Sequence, residues 1–277
     1  MFYRIMKNEL RSYYSLMLYC LVAVFTGYIL ALTEQSILIV VYVITCVLAV
    51  MAVIAFTFFR AYKNIAGENA IFTFSIPTGY FTILAGKICA GTIGTIVVGG
   101  EAFGSFLIAR FTMSVSGVDG LEEIGDRVEC ENYSILYDMI FGHFSNYVDG
   151  IQNLNALQII VGIIAIMLFP VMIVSLIYLA VVLGQLHAER KLFASVVITL
   201  AFAWVVQAGH IFLWDSVREK YEVFWFGTYS HEPDFIPKMT AHLRTSSSWG
   251  AVIFAVIICV SVVSATLVLN KRLNVSE

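Results

Sequence analysis

Residues 60–87 read RAYKNIAGENAIFTFSIPTGYFTILAGK. The segment separates two long apolar runs and is basic at both ends, with Arg60 and Lys63 entering and Lys87 leaving. Its reading decides the fold. In a soluble chain it is an ordinary loop. In a membrane chain it is a re-entry link between spans, and its basic residues mark its side.

Composition selects the membrane. The chain has 277 residues, a mean hydropathy of +0.88, 60% hydrophobic and 13% charged residues. A soluble domain carries about 25% charged residues. The charges also fall in short blocks between apolar runs, the pattern of a polytopic membrane protein. No basic face suggests nucleic acid. Of five cysteines, Cys20, Cys46, Cys89 and Cys259 lie in apolar runs, and Cys130 is alone in a polar loop, without a CxxC pair. This spacing indicates neither a disulfide framework nor a zinc site. The N-terminus does not read as a cleavable signal, because charges continue to Arg11 and no A-x-A site closes the run that follows.

Outward from the link, six apolar runs fall at about 15–32, 37–59, 80–109, 156–183, 192–214 and 249–269, each long enough to span about 30 Å of hydrocarbon. Ahead of the first, residues 2–14 read as an amphipathic interfacial helix. Its apolar stripe is Phe2, Met6, Leu10 and Tyr13, and Arg4, Lys7 and Arg11 lie on another stripe. Pro170 falls inside the fourth run and predicts a kink. The polar segments 110–155 and 215–248 are the outer loops, and 133–148 is apolar enough for a surface helix. Ten basic residues fall on the inner segments (Arg4, Lys7, Arg11, Arg60, Lys63, Lys87, Arg190, Lys191, Lys271, Arg272) and six on the longer outer ones. The positive-inside rule then places both termini in the cytoplasm. The expected fold is all-α: one domain, 1–277, of six transmembrane helices with an N-terminal interfacial helix.

Motifs for chemistry are missing. There is no GxxxxGK[ST] to hold a nucleotide, no HExxH and no GxSxG. His231 and His242 share an outer loop with Glu232 and Asp234, but solvated loop histidines are far commoner than metal ligands. Two ionisable groups lie inside the third run. Lys87 is placed to snorkel to the inner interface. Glu101 lies deeper, on the stripe Gly86, Ala90, Gly94, Val97, Glu101 and Ser105, whose small residues admit a neighbouring helix. It reads either as a polar element of a substrate pathway or as a carboxylate bonded to a neighbour or snorkelling outward.

The strings Tyr62-Lys63-Asn64-Ile65-Ala66-Gly67 and Thr73-Phe74-Ser75-Ile76-Pro77, with Lys87 beyond, resemble the second-to-third helix link of ABC-2 type transporter permeases. The likeness is nearest to the short six-helix permeases of Gram-positive bacteria. Leu183-Gly184-Gln185-Leu186 and the basic turn after it are similar to the same family. The resemblance covers the whole chain in layout and these two inner segments in residues. Where the family has Asp-Glu-Gly, this chain has Glu68-Asn69-Ala70, lacking the second acid and the glycine.

The resemblance implies a permease subunit of an ABC exporter in the bacterial plasma membrane. In it, segment 60–80 docks as a coupling helix in a separate ABC ATPase subunit, which carries the ATP and Mg. The docking residues would be Lys63, Asn64, Gly67, Glu68, Ala70, Ile71, Phe72, Phe74 and Pro77, with Gln185, His187 and Arg190 as a minor second contact. No cofactor is expected on this chain, nor any catalytic site. Six helices are half the usual set, which implies a homodimer or a heterodimer with a second permease, among membrane lipids. The expected substrate is amphipathic or hydrophobic, a peptide or antibiotic by analogy with relatives. The alternative is a secondary transporter or channel that uses Glu101.

Overall fold

A computed structural model describes residues 2–31, 36–65, 79–115, 154–187, 190–221 and 235–274. They form six helices: α1 (Phe2–Ala31), α2 (Ser36–Ile65), α3 (Tyr80–Val115), α4 (Ala156–Gly184), α5 (Lys191–Tyr221) and α6 (Phe235–Asn274). All six contain a stretch long and apolar enough to cross a membrane, and no strand occurs among the described residues. In hydrocarbon no water satisfies backbone N–H and C=O groups, so an apolar run must close its own hydrogen bonds, and the helix does this. That requirement overrides the modest helix propensity of the Val- and Ile-rich runs in α2, α4 and α6. Hydroxyls within the spans are satisfied in the same way. Thr26, Thr45, Thr57, Thr95 and Thr266 each donate to the carbonyl four residues back at 2.8–3.0 Å.

The bundle has two triplets. α1, α2 and α3 pack on one another, as do α4, α5 and α6, and α4 also packs on α2 and α3. The core between the triplets gathers Phe58, Ala61 and Ile65 of α2, Leu84 and Ile88 of α3, Ile177, Tyr178 and Val181 of α4, and Ala265 and Leu269 of α6. These residues come from the last turns of α2, α4 and α6 and the first turns of α3. Those ends, with the N-terminal third of α1, therefore share one end of the bundle. A second core of Cys20, Val24, Tyr42, Ala49, Val53 and Val98 joins α1, α2 and α3 farther along.

Several boundaries differ from the expected ones. Residues 2–14 do not form a separate interfacial helix: α1 runs unbroken from Phe2 to Ala31. Its buried face is Ile5, Glu9 and Tyr13, whereas Phe2 is exposed and Met6 and Leu10 are half-buried. The apolar stripe therefore misjudged the rotation of α1, because a polar group on the opposite register has its partners inside. The polar segments read as outer loops are also shorter than expected. α3 continues to Val115, α5 to Tyr221, and α6 begins at Phe235. Pro237 stands in the first turn of α6, where its missing N–H costs nothing. The surface helix expected at 133–148 lies outside the described residues, as do Cys130 and His231.

Pro170 divides α4. Before it, Ile163, Ile164, Ile166, Met167 and Phe169 are exposed, and Ala165 alone from 156 to 170 is buried. After it, Met172, Val174, Ser175, Ile177 and Tyr178 are buried among the other helices. The change from a lipid-type surface to a core helix thus falls where proline removes a helical hydrogen bond.

Candidate functional site

The structure brings one cluster of charged side chains together, and it sits at the roots of the 66–78 link. Glu9 of α1 is buried between α2 and α3. Its Oε2 accepts from Arg60 Nε at 2.9 Å. Its Oε1 accepts from Lys87 Nζ at 2.7 Å and from Asn64 Nδ2 at 2.9 Å. One carboxylate thus ties the last two turns of α2 and the second turn of α3 to α1. Helical spacing makes this possible: Arg60 and Asn64 are four residues apart and share a face. A charge buried in an apolar bundle is tolerated only when paired and hydrogen-bonded, and all four groups meet that condition.

The cluster carries one negative and two positive charges. Lys87 is enclosed, with 6% of its side chain exposed, while Arg60 keeps 28% and lies toward the surface. The excess positive charge therefore sits on the more solvated of the two cations.

Close packing continues from the cluster along α1. One turn beyond Glu9, the Tyr13 hydroxyl donates to Thr57 Oγ1 at 3.3 Å, and its ring meets Phe56 edge-on with centroids 5.0 Å apart. α3 faces this tyrosine with glycines. A Cβ on Gly94 would stand 2.9 Å from Tyr13 Cδ1. One on Gly91 would stand 3.1 Å from Val174 Cγ1, 3.3 Å from Thr57 Cγ2 and 3.3 Å from the Tyr13 hydroxyl. Gly91 is thus where α1, α2, α3 and α4 converge. Nearer the link, a Cβ on Gly86 would stand 3.4 Å from Ile5 Cβ. Small residues admit this approach, as expected for helices that associate in lipid by packing.

The expected site residues divide into three groups. Gly67, Glu68, Ala70, Ile71, Phe72, Phe74 and Pro77 lie outside the described residues. Lys63 is exposed at the end of α2, free to face a partner, whereas Asn64 is 3% exposed and turned inward onto Glu9. In the turn between α4 and α5, Gln185 is buried beneath the end of α4, its N–H donating to Val181 O at 3.3 Å, while His187 and Arg190 are exposed. The structure does not bring this turn into the charged cluster.

Lys87 does not snorkel. Burial beside Glu9 gives its ammonium a carboxylate, which removes the need to reach water. Glu101 is half-buried, and its Oε2 finds no hydrogen-bond partner among the described residues. The expected small-residue stripe holds from Gly86 through Ala90 to Gly94 and then drifts. Val97 is 41% exposed, and Val98 and Ala102 take the buried positions. Ser105 bonds Tyr42 across the α2–α3 contact at 2.6 Å.

Glu9 was missed because it stands among Arg4, Lys7 and Arg11 and looks like a solvated helix charge. A signal was present nonetheless. It is the one acid in α1 and α2, while Arg60 and Lys87 are cations at or inside apolar runs with no acid near them in sequence. Among the described residues no group of three His, Cys, Asp or Glu side chains is placed to hold a metal. No protein-family model, curated protein or solved structure matches this chain.

Proposed function

We propose that the chain is the transmembrane permease subunit of an ABC exporter in a bacterial plasma membrane, with both termini and the 66–78 link in the cytoplasm. A separate ABC ATPase binds and hydrolyses ATP with Mg, and this chain supplies the pathway for an amphipathic or hydrophobic compound. It works as a dimer with itself or with a second permease. The resemblance of residues 60–87 to the coupling link of ABC-2 permeases suggests the reading. The observation that carries it is the attachment of both roots of that link, Arg60 with Asn64 and Lys87, to one buried carboxylate on a third helix. A force delivered to the link would pass into α1, α2 and α3 together, as a coupling element requires. Lys63, exposed where α2 enters the link, is available to the ATPase surface.

The second reading is a secondary transporter or channel, and Glu101 favours it through its buried Oε2, which has no hydrogen-bond partner among the described residues. Purification of the tagged full chain from its own membranes in mild detergent separates the two. Under the exporter reading a P-loop ATPase co-purifies in near-stoichiometric amount. The variant Phe72→Asp/Phe74→Asp inserts normally and loses that ATPase. Membranes that yield no ATPase, or a variant that binds it as well as the parent, would remove the exporter reading.

A further inference from the structure

The Glu9 cluster does more than hold α1 in place. Arg60 and Lys87 stand on opposite oxygens of one carboxylate, so they approach each other only because Glu9 lies between them. Among the described residues no other acid is positioned to take its place. α2 has none, and the one acid of α3, Glu101, lies about 21 Å along the helix from Lys87 at 1.5 Å per residue. Asn64 can donate and accept but cannot neutralise a cation. Without the carboxylate, two like charges would face each other in a poorly solvated place, at the points where the 66–78 link leaves α2 and enters α3. Repulsion would spread these roots and release α1 from them.

We propose that Glu9 is the positioning residue of the link: it sets the spacing between the roots at Arg60 and Lys87 and fastens α1 to both. Its consequence for partner binding rests on the reading of this link as the ATPase contact, and the spacing role does not. Glu9 touches neither the partner nor the substrate. It acts through the two cations, and the inner end of α1 moves with the two roots as one body.

The test uses the full chain with its five native cysteines replaced by alanine, and a reporter pair placed where α1 and α3 touch. Ile5→Cys and Gly86→Cys bring two Cβ atoms to about the separation a disulfide needs. Oxidative cross-linking in native membranes is then compared among the reporter chain, its Glu9→Gln variant and its Glu9→Gln/Lys87→Met variant. Glu9→Gln keeps the shape and removes the charge, so cross-link yield should fall at least tenfold. Adding Lys87→Met removes one of the opposed cations and should restore more than half the yield. ATPase co-purification, measured on the same substitutions without the reporter cysteines, should fall and recover in parallel.

A Glu9→Gln chain that cross-links like its parent overturns the proposal. So does a double variant that stays as defective as the single one. If Glu9→Gln fails to insert, the double variant decides. Insertion with recovered cross-linking supports the spacing role, and failure of both overturns it. A parent chain that cross-links but binds no ATPase counts against the exporter reading alone.

Discussion

The two helix triplets solve the same problem by different means. α1, α2 and α3 are joined by directional groups: the carboxylate of Glu9, the Tyr13–Thr57 and Tyr42–Ser105 hydroxyl pairs, and glycines that admit a tyrosine ring. α4, α5 and α6 rely on apolar shape. Phe169 meets Phe254 with ring centroids 5.6 Å apart, Val181 and Val182 fill the centre, and Ser261 and Ser195 are small buried residues at helix contacts. The α4–α5 hairpin closes at Gly184, where any Cβ would overlap Ser195. In lipid, apolar surface gains little by leaving one apolar neighbour for another, so contact shape and polar pairing decide which helices associate. The first triplet has one arrangement that satisfies its charges. The second has no buried charge among its described residues and is constrained by fit.

The strongest way to break this contrast is to empty the charged cluster in two ways. Glu9→Leu alone strands the buried Lys87 and the partly exposed Arg60 and should cost about 3–5 kcal/mol, seen as loss of monodisperse protein in detergent. Glu9→Leu/Arg60→Met/Asn64→Leu/Lys87→Met replaces the whole set with apolar groups. Its thermal stability should return to within about 1 kcal/mol of the parent. A quadruple variant as unstable as the single one would show that the cluster is needed for stability itself, and not only for arrangement.

A smaller effect is expected where glycines meet Tyr13. Gly94→Ala places a methyl 2.9 Å from the ring and should destabilise by about 1–3 kcal/mol. Gly99→Ala, with nothing within 4 Å of its Cβ position, should be neutral or gain about 0.5–1 kcal/mol from helix propensity. Melting temperatures of the two in one detergent measure the difference, and equal values would mean that α1 is not closely seated on α3. The smallest effect belongs to Tyr42→Phe, which removes the 2.6 Å contact with Ser105. Interhelical hydrogen bonds in membranes contribute about 0.6 kcal/mol on average, so unfolding in denaturing detergent should shift only slightly. A loss above about 2 kcal/mol would place the outer end of the first triplet on a par with its charged end.

The spans were legible because hydropathy reports the environment of a whole segment, and six runs have no other use for that much apolar surface. Pro170 itself was legible for a local reason, since its ring forbids a helical hydrogen bond whatever surrounds it, and the change of burial along α4 falls there. Helix ends were less so. α6 has 40 residues, about 60 Å, twice the hydrocarbon thickness, and its polar first turns carry no hydropathy signal. The rotation of α1 was misread because periodicity assumes that the apolar face turns inward. Glu9 reverses that assumption, and nothing local to residues 2–14 reveals it: its partners are 51, 55 and 78 residues away. Lys87 was misread for the same reason, as snorkelling is the expected behaviour of a lysine that has found no acid. Asn64 fell within a recognisable string, but the string does not say which way its side chain points.

Those separations bear on how the chain is made. Glu9 leaves the ribosome well before Arg60 and Asn64, and Lys87 comes last. Until then the carboxylate in the first third of α1 lacks the more deeply buried of its two cations. The first helix is therefore expected to wait at the membrane surface, held there by Arg4, Lys7 and Arg11, which stay exposed on its opposite side. It can take its final depth only once the third helix arrives. A nascent chain stopped before residue 87 should leave its N-terminal segment open to a soluble protease, and a chain stopped well after it should protect the same segment.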